Sequence, residues 1–244
     1  MILLGLKKAV FSSKVVYMAN KKLVLILLVL VVIGSGFFIW SKYRPAALPI
    51  KGLADINRNL SPDQQKIYTD KILKGEKYLA IINPSANGAS LEKANTYVFI
   101  GQQYFGLGKL EKSKQMYVQA LVLDSKNEQA LAALALTFLD AEDYLGAGKL
   151  YEQITEINPK NSYAWLNLIQ LRQKDGTVDI ENLYKNALEK TGNYIDIVTK
   201  YAQYQEQVGN IQSAIELWQQ AVNLNSGNGL AYQVEINRLK ALSK

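Results

Sequence analysis

Asp140, Glu142 and Asp143 form the tightest group of side chains in this chain with the chemistry to hold a hard cation or move a proton. Three carboxylates offer oxygen ligands, but these three lack the glycine and the spacing of a calcium loop. A solvated turn beside a helix end is the expected role. The chain has no histidine and no cysteine, which removes imidazole bases, thiol nucleophiles, disulfides and the usual zinc ligands. Any acid–base work would rest on carboxylates, lysines or tyrosines. Gly101, Gly106 and Gly108 do not follow a phosphate-loop spacing and fit close helix packing. No catalytic, cofactor-binding or metal-ligating residues are expected, and the chain is not expected to be an enzyme.

The formal charge of +7 over 244 residues belongs to one end. Residues 1–51 hold eight basic residues and no acid, and the other 20 basic residues nearly balance all 21 acids. A nucleic-acid footprint would put the basic excess on the folded part, so no nucleic-acid partner is expected. Leu23 to Trp40 is an uninterrupted uncharged run, LVLILLVLVVIGSGFFIW. At about 1.5 Å per residue a helix of that length approaches the hydrocarbon thickness of a bilayer. Lys21 and Lys22 precede it; Trp40, Lys42, Tyr43 and Arg44 follow as headgroup anchors, and Pro45 stops it. A cleaved signal peptide would be shorter and end in small residues, whereas this run ends in Phe37, Phe38, Ile39 and Trp40. The expectation is an uncleaved single-pass signal-anchor, residues 23–40, behind a basic tail, 1–22. Five lysines before it against Lys42, Arg44 and Lys51 after it favour a cytoplasmic N-terminus and an extracytoplasmic domain. Met18 offers a second start, which would leave 1–17 untranslated; an interfacial amphipathic helix over 1–17 is the alternative. Both stay open.

Residues 41–60, with Pro45 and Pro49 and no sustained period, form a linker. Ser61 and Pro62 suit the N-cap and first position of a helix; 61–93 is expected to be one capping helix or a degenerate hairpin. Beyond it a period appears. Tyr117 and Tyr151 are 34 apart, as are Tyr97 and Leu131, Tyr104 and Phe138, and Leu131 and Trp165. Tyr151 to Tyr184 is 33, and Tyr184 to Trp218 is again 34. The missing residue falls most simply in the turn Gly176-Thr177-Val178-Asp179, where a deletion is tolerated. Large residues recur at spacings of three and four, on one helical face: Tyr97, Ile100 and Tyr104; Leu131, Leu134 and Phe138; Trp165 and Leu168; Val198 and Tyr201. Small residues recur at the same intervals or their sum: Gly101, Ala135 and Ala202; Ser113, Ala147 and Ala214; and Ala120, Ala187 and Ala221. Gly108 and Gly209 fall in turns that often need a left-handed backbone.

This pattern resembles the tetratricopeptide repeat, a helix–turn–helix unit with the same period. Ile154 and Ile169 depart from it at small positions, and Arg172 and Gln205 at aromatic ones. The resemblance implies an all-α helical-hairpin solenoid of four repeats over 94–228 (94–127, 128–161, 162–194 and 195–228), closed by an amphipathic capping helix over 229–244. It also implies a concave groove that takes a peptide segment or partner protein. The groove positions would be Asn95, Val98, Phe99, Gln102 and Phe105; Gln129, Ala132, Ala133, Leu136, Leu139 and Asp140; Tyr163, Leu166, Asn167, Gln170 and Lys174; and Asp196, Thr199, Lys200, Gln203 and Glu206. Some relatives grip a C-terminal carboxylate; here those positions hold Val98, Ala132, Leu166 and Thr199, so that clamp is absent. The expected function is a membrane-tethered scaffold in envelope assembly, secretion or a similar complex. An accessory subunit of an envelope enzyme, a cytoplasmic-facing docking receptor and a homo-oligomer stay open.

Overall fold

The computed structural model describes residues 52–176 and 179–242. The basic tail 1–22, the expected membrane helix 23–40 and most of the linker lie outside the described residues. No helix among the described residues is long and apolar enough to cross a membrane.

Those residues are all-α: ten α-helices, a short 3-10 turn at Ser226–Asn228, and no strand. In chain order they are α1 (Pro62–Ile81), α2 (Ala89–Gly106), α3 (Leu110–Leu123), α4 (Glu128–Asp140), α5 (Tyr144–Ile157), α6 (Ser162–Asp175), α7 (Ile180–Thr191), α8 (Ile195–Gln207), α9 (Ile211–Leu224) and α10 (Gly229–Leu242). Each helix packs on its neighbours in sequence, and α2 also touches α4. The result is a solenoid.

The repeated residues explain the hairpins. Tyr117, Tyr151, Tyr184 and Trp218 each lie on the second helix of a pair, at exposures of 1%, 0%, 3% and 6%. Gly101, Ser113, Ala120, Ala135, Ala147, Ala187, Ala202, Ala214 and Ala221 are all buried, which lets the axes approach closely. Burial pushes the phenols of Tyr117 and Tyr184 up to about 12, so both stay neutral packing groups. Ile154 and Ile169 are buried where a small residue was expected. Gln205, nearly sealed from solvent, accepts a hydrogen bond from Asn210 Nδ2 at 2.7 Å, so its polar atom is not left unpaired.

The turns inside each hairpin share one device. Gly108, Glu142, Gly176 and Gly209 all have left-handed backbones, with φ of 74°, 59°, 64° and 84°. The first three are evenly spaced by the full period and the last interval is one short, so the deletion lies between Gly176 and Tyr184. Glu142 does without glycine what the other three turns do with it. Between hairpins, Asn127 and Asn161 cap α4 and α6 by accepting from Ala130 N and Ala164 N at 2.9 and 3.0 Å.

Each end of the array is a single helix. Residues 62–81 form one helix and not a hairpin, begun by a Ser61–Gln64 capping box with Pro62 in the first turn. Gly75 is no interruption: a β-carbon there would lie 2.6 Å from Ile100 Cγ1, so the missing side chain is what lets α1 seat on α2. The first helix of the first hairpin starts at Ala89, upstream of residue 94. The longer α1 supplies a partner for that extra turn, and the Tyr78 hydroxyl donates to Glu92 across the seam. At the other end α10 buries Ile236 and Leu239 against α9 but leaves Leu230, Val234 and Leu242 largely exposed. Its outer face is thus not the polar cap that repeat arrays usually need.

Residues 53–60, the end of the linker, are bound to the first hairpin. They run extended across the turn end of the first hairpin. Ile56 N donates to Gly108 O at 2.9 Å, Leu53 N to Glu111 Oε2 at 3.0 Å, and Lys109 Nζ to Asp55 Oδ2 at 2.8 Å. Arg58 reaches further: it pairs with Asp140 and lies 4.7 Å from the centre of the Phe105 ring. A strap held by single contacts has no period, so pattern analysis passes over it.

Glu111 ties the strap down. Burial works against its charged form, but Lys114 at 2.6 Å, the Leu53 amide and Gln115 outweigh that and hold its pKa below the ordinary 4.5. A depressed carboxylate pKa stabilises the fold fully above the unfolded value and loses that contribution as pH falls through the folded one. The amide proton of Leu53 is therefore expected to move upfield in NMR spectra as the pH drops below about 4.5. In Glu111→Ala it should start upfield and show no such titration. A Leu53 signal insensitive to acid in the unaltered chain would show that the contact does not form.

Candidate functional site

The first helices of the four hairpins, α2, α4, α6 and α8, carry every position expected to line the groove. Each is built so that one stripe packs and another stays open. Tyr97, Ile100 and Tyr104 face the array on α2, for example, and Ile100 is fully buried. The turns on either side set where each helix begins and ends, and the regular period makes the open stripes successive rows.

Eleven of the twenty-one groove positions are exposed: Asn95, Phe99, Gln102, Gln129, Leu136, Tyr163, Gln170, Lys174, Asp196, Lys200 and Gln203. Phe99, Leu136 and Tyr163 are large apolar side chains at 38%, 39% and 52% exposure. Asn167, half-buried, spends its amide donor on Tyr163 O at 2.8 Å. Leu139 and Leu166 are also half-buried. Val98 is the one clear correction: at 1% exposure it is interior packing and offers no surface. Its β-branched side chain fits a helix interface as well as a groove wall, and spacing alone does not separate the two.

Four positions are already engaged. Arg58 of the strap covers the Phe105 ring and pairs with Asp140. Glu206 pairs with Arg238 of α10 at 2.7 Å, which holds its pKa below the ordinary carboxylate range. Lys174 lies over the Tyr144 ring at 4.6 Å. What remains open is a face of amides, three large apolar side chains, one aspartate and one lysine, able to hydrogen-bond a backbone and pack against apolar side chains.

The carboxylate group at the second turn is divided among structural tasks. Asp140 takes Arg58, Asp143 caps α5 by accepting from Gly146 N at 2.8 Å, and Glu142 is the left-handed turn residue. Among the described residues no group of three or more acidic, histidine or cysteine side chains could hold a metal ion.

One feature of the surface has no counterpart in the period. Between α1 and α2 lies a cleft of about 760 Å³ lined by Lys74, Gly75, Lys77, Tyr78, Ile81, Gly88, Leu91, Glu92, Asn95, Thr96 and Phe99, with almost wholly apolar walls. The signal that would have found it is an excess: α1 carries more apolar residues (Ile67, Leu73, Tyr78 and Ile81) than one buried stripe can use, and all four are exposed.

Known proteins match this chain in part. A mouse (Mus musculus) protein, interferon-induced protein with tetratricopeptide repeats 3, is 25% identical over 184 residues, covering 73% of this chain and 44% of its own length. The chain therefore spans less than half of that relative. Among solved structures, MamA aligns with a TM-score of 0.49 at 16% identity, over 67% of this chain and 94% of MamA. YrrB, described as a TPR protein with an unusual peptide-binding site, aligns at 0.46 and 16% identity, over 73% of this chain and 93% of YrrB. Residues 94–127, which span most of α2 and all of α3, match the family model of the tetratricopeptide repeat.

Proposed function

We propose that this chain is an interaction scaffold, tethered to a membrane through residues 23–40, that holds a peptide segment or partner protein on the open stripes of α2, α4, α6 and α8. The observation that carries the reading is the composition of those stripes. Phe99, Leu136 and Tyr163 stand exposed beside Gln102, Gln129, Gln170 and Gln203, a mixture that matches an extended or helical segment better than a reactive substrate. The tetratricopeptide match over 94–127 supports it. The tether rests on the uncharged run from Leu23 to Trp40 and its basic and aromatic flanks. The lysine bias supports an extracytoplasmic position for the repeats, and the reading extends to a role in envelope assembly, secretion or a similar complex.

Photocrosslinkers placed at Gln102 and Gln170 in cells test this. The expected outcome is one discrete heterologous product from both positions, reduced at least tenfold by Leu136→Glu, the effect of losing a central apolar anchor. Products that contain only lipid or only this chain, or a product indifferent to Leu136→Glu, would overturn the reading.

A further inference from the structure

We propose that the cleft between α1 and α2 is the seat of an amphipathic helix donated by a partner protein, its apolar stripe bordered by acidic residues. The proposal rests on the interaction reading above and adds a second contact, on α1 and the start of α2; the cleft shares Asn95 and Phe99 with the first row of groove positions.

The geometry comes first. α1 lies antiparallel on α2, with Tyr68 near Gly106, Gly75 near Ile100 and Tyr78 near Glu92. Ile72 and Gly75 are buried along the seam. Beside it the cleft opens, and four large apolar side chains face it: Ile81 at 75% exposure, Leu91 at 53%, Tyr78 at 44% and Phe99 at 38%. Such a concentration in one concavity marks a surface that is covered in use. The array indicates the shape of the cover. α2 packs against α3 and touches α4 as well; a helix laid in this cleft would touch α1 and α2 in the same way.

Charge selects among helices. Lys74 and Lys77 line the cleft with no ion pair among the described residues, two cations against the single carboxylate of Glu92, which accepts from the Tyr78 hydroxyl. The N-terminus of α2 adds to the positive field, because Gly88 gives it no side-chain cap. An acidic border is therefore favoured. The same logic disfavours two nearer occupants. Residues 1–51 of this chain contain eight basic residues and no acid. On a second copy, α10 carries a single acid, Glu235, which is already paired with Arg238.

Selection from a displayed library tests this, with the full chain held in detergent micelles as bait. The library consists of amphipathic helices with a fixed leucine stripe and bordering positions drawn from Glu, Gln and Lys. Enriched sequences are expected to carry Glu along the border. The best peptide, measured by calorimetry, should lose at least tenfold in affinity against Ile81→Asp/Leu91→Asp and at least threefold against Lys74→Glu/Lys77→Glu. It should weaken as salt rises and be unaffected by Leu136→Glu. Ile81 and Leu91 are exposed enough that the first pair should melt at the parent temperature; the lysine pair gives a second reading that removes no packing. Enrichment of Lys or Gln borders, or affinity unchanged in both pairs, would overturn the seat. So would displacement of the peptide by phosphatidylglycerol vesicles but not by an excess of unlabelled peptide. Peptides lost with Leu136→Glu and kept with the cleft variants would leave the scaffold reading standing and remove this one. Recovery of no peptide at all would count against both.

Discussion

Tyr151→Ala is expected to lower the unfolding free energy by about 3–5 kcal/mol, the range for removing a large buried aromatic from a well-packed site. Tyr151 is fully buried, and Tyr163 meets its ring edge-on with centroids 6.1 Å apart. It also lies centrally, so a void there weakens the seam between hairpins on both sides. Its hydroxyl behaves differently from its ring. Burial first, and the neighbouring Tyr163 phenol second, raise its pKa, and among the described residues the oxygen has no partner within hydrogen-bond geometry. A buried polar group without a partner is a cost. Tyr151→Phe should therefore leave stability unchanged or raise it by up to about 1 kcal/mol. Urea unfolding of the two variants decides the matter. If phenylalanine cost as much as alanine, the ring would not be the source of the stabilisation. Amide exchange should show the alanine variant opening first in α5 and α6, because a linear array distributes damage to nearest neighbours.

Gly101→Ala carries the second large effect, and its sign is the informative part. Judged by helix propensity alone, alanine in the interior of α2 would gain about 1 kcal/mol over glycine. The packing says the reverse. A β-carbon at Gly101 would lie 2.6 to 3.0 Å from three ring atoms of Tyr117, itself 1% exposed. The ring has no open side to turn toward, so the two helices must separate or the ring must leave its rotamer. Overpacking of this kind costs about 1–3 kcal/mol. The expected net is a loss, visible as a lower urea midpoint with an unchanged slope. Combining Gly101→Ala with Tyr117→Leu should cost less than the two changes added together, because the shorter side chain removes the collision. Strict additivity would mean that Gly101 is not held against this ring.

Features of this fold are legible in the sequence where their contacts repeat. The tyrosine and tryptophan at one place in each second helix, and the alanines and glycines opposite them, recur because every hairpin solves the same packing problem. That recurrence makes the solenoid visible in the unfolded chain. The turn glycines Gly108 and Gly209 stand out for the same reason. Glu142 does not, since its left-handed backbone is imposed by neighbouring helices and leaves no mark in residue type. The open face proposed to hold a partner is legible only in part. Helical spacing puts Phe99, Leu136 and Tyr163 on one stripe, but it also puts Val98 there. It does not show that Arg58 already lies over Phe105 and against Asp140.

The sequence by itself determined the helical class, the length of the repeating unit, the absence of imidazole and thiol chemistry, and the confinement of excess positive charge to residues 1–51. Each of these is a property of composition or of local periodicity, which a chain carries whether or not it is folded. Tertiary structure alone decided that residues 53–60 bind across the first hairpin, that Gly75 seats α1 on α2, and that an apolar cleft lined in part by Lys74 and Lys77 opens beside that seam. These are contacts made once, between residues far apart in the chain. Their energy depends on how the surrounding helices happen to meet, and a contact made once has no period by which to be found.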